Sequence, residues 1–305
     1  MFIRHCQGNI VGWRSVIISK PAKLSVKNRQ LLLQQDEGNL AALPLEDLST
    51  VVLDTPQVLL TGAVLSELAT HGVALVCCDA EHHPNGALLP FLAHSRTLNV
   101  MQKQLALSVP QKKRVWQTIV RQKLRNQSSC LERYRPGKGK HLANLATKVR
   151  SGDPDNREAS AAQYYFSELF GAGFTRTRQG WYNSALNYGY AILRAAIARG
   201  LVAHGFLPPF GLQHKSQLNS FNLADDLIEV LRPVVDNWVV AQADRESPQL
   251  LKADKAGLVQ LLYADVAMRR GNMNVLSAIE YMVEGLGRYC DSASLEELDW
   301  PTLLE

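Results

Sequence analysis

Val73-Ala-Leu-Val-Cys77, with the Pro84-Asn-Gly86 turn that follows it, divides the chain into two textures. The run is apolar, of strand length and preceded by Gly72, which reads as a buried strand. Toward the N-terminus the same pattern repeats in Ser15-Val-Ile-Ile-Ser19, Ala22-Lys-Leu-Ser-Val26, Arg29-Gln-Leu-Leu-Leu33 and Ser49-Thr-Val-Val-Leu53. Turn chemistry separates these runs: Lys27-Asn28 predicts a two-residue hairpin and Asp36-Glu-Gly-Asn39 a longer one. One helix interrupts them. Thr55 is its expected cap, Pro56 its first residue and Gly72 its stop, with Leu59, Ala63, Leu68 and Ala69 as the buried stripe. C-terminal of Pro84-Asn-Gly86, long helical patterns take over, broken at Arg135-Pro-Gly-Lys-Gly139, Ser151-Gly-Asp-Pro154 and Phe206-Leu-Pro-Pro209. The expected class is therefore α+β, with a β-rich domain over 1–85, a linker over 86–94 and a larger all-α domain over 95–305.

A chain of 305 residues with 46% hydrophobic content buries at least one full core, which excludes intrinsic disorder. The formal charge of +5 conceals an asymmetry. Residues 101–150 hold 13 Lys/Arg against the single acid Glu132, while the remaining residues carry a net −7. Solvated helix faces usually mix signs, so the stretch reads as a polyanion-binding surface. Its candidate contacts are Lys112, Lys113, Arg114, Arg121, Lys123, Arg125, Arg133, Arg135, Lys138 and Lys140, with 114, 121 and 125 on one helical face. The last 15 residues carry five acids and no Lys or Arg, which reads as a solvated end or an acidic contact for a basic partner.

Five cysteines without regular spacing predict reduced thiols, and Met1-Phe-Ile-Arg-His-Cys6 has no apolar core of a secretory signal. No uncharged apolar window approaches the ~18 residues of a membrane span. These features point to a soluble protein of the cytoplasm with no membrane partner. Cys77-Cys78 with His82-His83 makes a poor zinc set, because adjacent cysteines chelate badly. Pro136-Gly-Lys-Gly-Lys140 lacks the phosphate-loop spacing, and no nucleophile elbow or H-E-x-x-H is present.

Two stations carry chemistry. In Ser151-Gly-Asp-Pro-Asp-Asn-Arg-Glu158 a helix is expected to start with Asp153 as cap and Pro154 at its first position, placing Glu158 near the N-terminus among alanines. Then comes Phe210-Gly-Leu-Gln-His214-Lys-Ser-Gln-Leu-Asn-Ser-Phe-Asn-Leu-Ala-Asp225-Asp226-Leu-Ile-Glu229-Val-Leu-Arg232-Pro233. Asp226 and Glu229 are i, i+3, and Asp225 and Glu229 are i, i+4, so either pair projects two carboxylates from one side of an apolar helix. Acids on a buried helix need partners, and Glu158, His214 and two carboxylates suit a hard divalent cation. Structural ion pairs and a satisfied core histidine fit the same pattern. Tyr182, Tyr188 and Tyr190 read either as base-stacking rings or as core, with the apolar helix around them favouring core.

Taken in order, Glu158-x-x-Ala-Ala-x-Tyr-Tyr-Phe166, Phe170-Gly171, Asn183-x-x-Leu-Asn-Tyr-x-Tyr190, His214 and Phe221-Asn-Leu-Ala-Asp-Asp-Leu-Ile-Glu229-x-x-Arg-Pro233 resemble the CRISPR-associated integrase that inserts new spacers into the array. Lys23-Leu-Ser-Val-Lys-Asn28 and Pro44-Leu-Glu-Asp-Leu48 are similar to its β-domain, and the Phe-Asn-Leu-Ala-Asp-Asp-Leu phrase is similar to its type II form. The resemblance implies a DNA endonuclease and integrase of antiviral defence. It implies Glu158, His214 and Glu229 as catalytic metal ligands for Mg²⁺ or Mn²⁺, the imidazole leaning toward Mn²⁺, with Asp226 a further acid beside them and Lys215 a nearby basic contact. It further implies a homodimer formed through the β-domain, double-stranded DNA of both spacer precursor and array, and a small ferredoxin-like companion protein. The implied reaction is attack of a DNA 3′-hydroxyl on a phosphodiester, which needs neither ATP nor a protein nucleophile. A metal-dependent nuclease without strand joining and a non-catalytic DNA-binding scaffold are the alternatives.

Overall fold

A computed structural model describes residues 14–35, 40–80, 84–90, 96–242 and 249–304. The chain separates into two compact units, Met1–Pro90 and Phe91–Glu305.

The first unit contains two four-stranded sheets. Strands β1 (Arg14–Ile18), β2 (Ala22–Lys27), β3 (Gln30–Gln34), β4 (Leu40–Pro44), β5 (Leu48–Leu53), β6 (Val58–Leu59), β7 (Ala74–Cys78) and β8 (Pro84–Leu88) are accompanied, among the described residues, by one α-helix, α1 (Gly62–Thr70). The orders are β4-β3-β2-β6 and β1-β5-β7-β8. In the second sheet β1, β5 and β7 run parallel, with α1 as the crossover between β5 and β7, and β8 closes the edge antiparallel. Ile18, Leu24, Leu31, Leu45, Val51, Val64 and Leu68 belong to one buried cluster.

Several expected boundaries move. The β2–β3 turn is Asn28-Arg29, because Lys27 pairs with Gln30, and both turn residues have positive φ as a tight hairpin requires. The longer turn expected at Asp36–Asn39 lies outside the described residues, and β4 follows it as a strand the sequence reading missed. The helix starts after Thr61, six residues later than Thr55 suggests. Thr55 instead accepts the Gln57 N–H in a local turn, and Val58–Leu59 pairs parallel with β2. The buried stripe of α1 is accordingly Val64 and Leu68, and Leu59 is exposed. Pro84–Leu88, placed across the edge of the expected linker, is a strand paired with β7.

The second unit contains α2 (Thr97–Ala106), α3 (Val109–Tyr134), α4 (Gly139–Thr147), α5 (Arg157–Phe170), α6 (Trp181–Ala203), α7 (Asn222–Ile228), α8 (Arg232–Ala241), α9 (Lys252–Gln260) and α10 (Val275–Ser292). It is not all-α. Strands β9 (Asp265–Met268), β10 (Gly271–Asn274) and β11 (Thr302–Leu303) form a small sheet of order β10-β9-β11. Helix α3 starts with Ser108 in a capping box with Gln111 and buries Val115, Trp116, Ile119, Val120, Leu124 and Leu131. Helix α6 is buried along most of its length, and Gly189 lets α8 approach closely: a Cβ there would stand 2.5 Å from Val235. Tyr188 and Tyr190 are core residues, while Tyr182 is half-buried against Phe170.

Of the two readings of the acidic C-terminal segment, the solvated end holds for Asp291 and Glu296, whereas the part from Leu298 on is packed. Leu298 and Leu303 are buried, and Asn126 of α3 donates to the Pro301 carbonyl at 2.9 Å. Three of its described acids face cations of this same chain: Asp291 pairs with Lys103 at 2.5 Å, Glu297 with Arg288 at 2.8 Å and Asp299 with Arg269 at 3.3 Å. The described Cys77, Cys130 and Cys290 are free thiols.

Candidate active site

Asp153 fixes the first carboxylate. Its side chain accepts the Arg157 N–H at 3.0 Å and the Glu158 N–H at 2.9 Å, capping the first turn of α5 as expected. The helix itself begins only at Arg157, so Pro154 lies in the preceding turn, where Asp153 and Asn156 both take left-handed backbone. This tight turn presents Glu158 at the helix N-terminus, where the dipole favours an ionised carboxylate. The Glu158 side chain is partly exposed.

Asp226 fixes the histidine. It has no solvent exposure, and it accepts the backbone N–H groups of Leu212 (2.5 Å), Gln213 (3.2 Å) and His214 (3.1 Å). Its Oδ1 also lies 2.7 Å from His214 Nδ1. One acid on α7 therefore shapes the 211–214 loop and orients the imidazole. Gly211 is required by this closeness, since a Cβ there would meet Asp226 Oδ2 at 2.8 Å and the His214 carbonyl. The hydrogen bond to Asp226 raises the His214 pKa above its ordinary value, against a lowering by burial.

The three acids of the Asp225-Asp226…Glu229 segment go to three separate partners, so neither expected carboxylate pair forms. Asp225 accepts from Arg194 at 2.9 Å and from Asn219 at 2.6 Å. Asp226 serves His214. Glu229, at the end of α7, accepts from Arg232 Nε at 2.7 Å and from the ammonium of Lys123. Burial alone would push the Glu229 carboxyl up, but Arg232 and Lys123 beside it hold it down to about 2.

Lys123 connects the stations. Its ammonium contacts both Glu158 and Glu229, and the residue is 5% exposed. It is thus not part of a DNA-facing surface. The sequence carried a signal for this: Trp116, Ile119, Val120, Lys123, Leu124, Gln127 and Leu131 follow helical spacing, and a lysine on that apolar stripe must be buried against acids. Burial lowers its pKa, but the two carboxylates more than offset this and raise it.

A cleft of about 360 Å³ opens at this point, lined by Trp116, Asp153, Asn156, Glu158, Gln213, His214 and Lys215. The Trp116 ring meets the His214 ring edge-on, with centroids 5.8 Å apart. Glu158 and His214 share the cleft, while Glu229 reaches Glu158 only through Lys123. Among the described residues no group of three His, Cys, Asp or Glu side chains stands ready to hold a metal. In donor chemistry the set nonetheless fits a hard divalent cation: two carboxylates already converge on one cationic centre, and the Asp226 bond leaves His214 Nε2 as the free ring nitrogen.

Behind Glu229 lies a buried polar layer that sequence reading missed. Arg232 stacks on the Tyr190 ring, 4.5 Å from its centroid, and the Tyr190 hydroxyl donates to Asp236. Burial pushes the Asp236 carboxyl up to about 6, partly offset by the Tyr190 and Tyr165 hydroxyls and by Arg232.

The remaining basic candidates divide by environment. Lys113, Arg114, Arg125 and Lys140 are exposed, Lys112 is half-buried, and Lys215 is exposed at the cleft. Arg121 donates to the Val149 carbonyl at 2.8 Å, and Lys138 lies 3.3 Å from Glu168. No described helix is long and apolar enough to cross a membrane.

Residues 16–253 match the sequence model of the family described as CRISPR-associated protein Cas1. A CRISPR-associated endonuclease Cas1 from Neisseria meningitidis serogroup C (strain 8013) is 42% identical over 96% of this chain and 97% of its own length. Among solved structures, a casposase bound to integration product shares 17% identity and superposes with a TM-score of 0.71, covering 92% of each chain. A Cas6-RT-Cas1–Cas2 complex superposes with a TM-score of 0.76 at 17% identity, covering 99% of this chain and 38% of the larger one.

Proposed function

The chain belongs to the Cas1 family of CRISPR-associated proteins, and we propose that it inserts short foreign DNA fragments into a CRISPR array by attack of a DNA 3′-hydroxyl on a phosphodiester, as part of antiviral defence. The observation that carries this reading is that Glu158 and His214 line one cleft while Lys123 joins Glu158 to the buried Glu229 beside it. The named relative is an endonuclease, and a structural neighbour of the same fold is held on an integration product.

Glu158, Glu229 and His214 would hold Mg²⁺ or Mn²⁺, which when bound supplies Lewis acidity toward the attacking hydroxyl and the phosphate. Arg232 keeps Glu229 ionised, and Asp226, bonded to Nδ1, orients the His214 ring and leaves Nε2 as the nitrogen for a metal. Trp116 walls one side of the cleft, and Lys215 at its mouth offers a positive charge to a DNA phosphate. The exposed Lys113, Arg114, Arg125 and Lys140 extend the phosphate-binding surface over α3 and α4. We assign double-stranded DNA, a second copy of this chain meeting it through the β-domain, and a small Cas2-type companion as partners, the last in keeping with the Cas1–Cas2 assembly of the structural neighbour.

The test is strand joining. A labelled oligonucleotide with a free 3′-hydroxyl is incubated with target duplex and wild type or His214→Ala, each in Mg²⁺, Mn²⁺ or EDTA. Metal-dependent joining by wild type and its loss in His214→Ala is the expected result. Cleavage without a joined strand would make the protein a nuclease only. Binding of DNA with neither reaction would make it a scaffold.

A further inference from the structure

Lys123 occupies the place between two carboxylates that the proposed metal would need. It reaches Glu158 on α5 and Glu229 at the end of α7 from the apolar face of α3, and its side chain is 6% exposed. Glu229 has Arg232 as a second cation, with Nε at 2.7 Å, so the two glutamates, Lys123 and Arg232 together are charge-neutral. A divalent cation entering between the same carboxylates would stand against the ammonium, and two like-charged centres at contact distance in a buried site repel strongly. One of them must move. Arg232 is fixed by its stacking on Tyr190, whereas a lysine ammonium rides on a flexible four-carbon stem. Trp116, two turns earlier on the same face of α3, lines the cleft, so the space into which the ammonium can swing is adjacent.

We propose that the Lys123 ammonium is a displaceable counter-cation: it holds Glu158 and Glu229 in register in the metal-free protein and withdraws when a divalent cation takes its position. Lys123 is then a positioning residue that sets the metal affinity of the site. The proposal rests on the metal-dependent reading of Glu158, Glu229 and His214. No bond is made or broken in the exchange. A purely structural lysine would support the fold equally with and without metal; a counter-cation supports it only without.

The test uses the full chain as wild type and Lys123→Met, with thermal denaturation and calorimetric titration of Mn²⁺. In EDTA, Lys123→Met should melt below wild type, because Glu158 and Glu229 lose their shared cation. Saturating Mn²⁺ should close most of that gap, and the variant should bind Mn²⁺ at least tenfold more tightly than wild type. A Kd within twofold of wild type, together with an Mn²⁺-induced Tm rise equal in the two proteins, overturns the proposal alone. Absence of Mn²⁺ binding in both overturns the metal reading and this proposal with it. Should Lys123→Met fail to fold, amine acylation of wild type read by mass spectrometry decides. Mn²⁺ should raise labelling of Lys123 at least threefold, and labelling that Mn²⁺ leaves unchanged overturns the proposal.

Discussion

His214 holds Nδ1 2.7 Å from Oδ1 of Asp226, and its own backbone N–H donates to the same oxygen at 3.1 Å. One buried carboxylate thus sets both the main chain and the ring of the residue. The ring partner raises the His214 pKa, so this pair contributes stability that is full below the unfolded histidine value and is lost as pH rises through the folded value. Asp226→Asn should therefore be less stable by about 1–3 kcal/mol overall, with the larger loss at pH 5 than at pH 8. Urea denaturation at the two pH values checks this, and an equal loss at both would show that the ring bond carries no stability.

Gly211 makes that arrangement possible. A Cβ at this position would press on the Asp226 carboxylate and the His214 carbonyl, both of which belong to the site, and on Asn222 Cβ at 3.1 Å. Gly211→Ala should cost about 1–3 kcal/mol through overpacking. More diagnostically, it should lower strand joining at least tenfold in protein that still folds. A variant of wild-type activity would mean that the 211–214 loop can shift without consequence for His214.

Asp236 gives a second pH signature of opposite origin. Burial lifts its folded pKa from the usual carboxylate range to about 6. A carboxyl raised on folding contributes stability below its unfolded value that is lost as pH rises through the folded one. Stability of the second unit should accordingly fall by about 3 kcal/mol between pH 4 and pH 7 from this group, at ~1.4 kcal/mol per unit. Asp236→Asn should remove that slope. Denaturation curves for both proteins across the range measure it directly, and parallel slopes would exclude Asp236 as the source.

The α+β class was legible because it rests on local signals, and the candidates Glu158, His214 and Glu229 come from their segments together with the family resemblance. Val73–Cys77 and its companion strands are short apolar runs, and Glu158, His214 and Glu229 lie in quotable segments. What escaped depends on contacts between distant segments. Strands β9, β10 and β11 are too short to show a period, and β11 pairs with β9 across thirty-odd residues of helix and loop. The register of the Asp225-Asp226 doublet is decided by which acid faces the 211–214 loop, a tertiary fact. Lys123 was read by its charge, although its place on the α3 stripe argued for burial. Composition identified the basic stretch and position within the helix sorted it.

That sorting leads to the salt dependence of DNA binding. Lys113 and Arg114 are exposed at the start of α3, whereas Arg121, on the same helix, is tied to the Val149 carbonyl just beyond α4. If the exposed pair neutralises phosphates, each contact releases counterions and contributes ~0.9 to the slope of log K against log salt concentration. The Lys113→Gln/Arg114→Gln double variant should lower that slope by about 2 and leave Mn²⁺ affinity as in wild type. Arg121→Gln should keep the slope and instead lose about 1 kcal/mol of stability from the broken hydrogen bonds. Fluorescence anisotropy of a labelled duplex over a salt series, with a melting curve for each protein, separates the two roles. An unchanged slope in the double variant would return this end of α3 to ordinary solvated surface and move the DNA path to Arg125, Lys140 and Lys215.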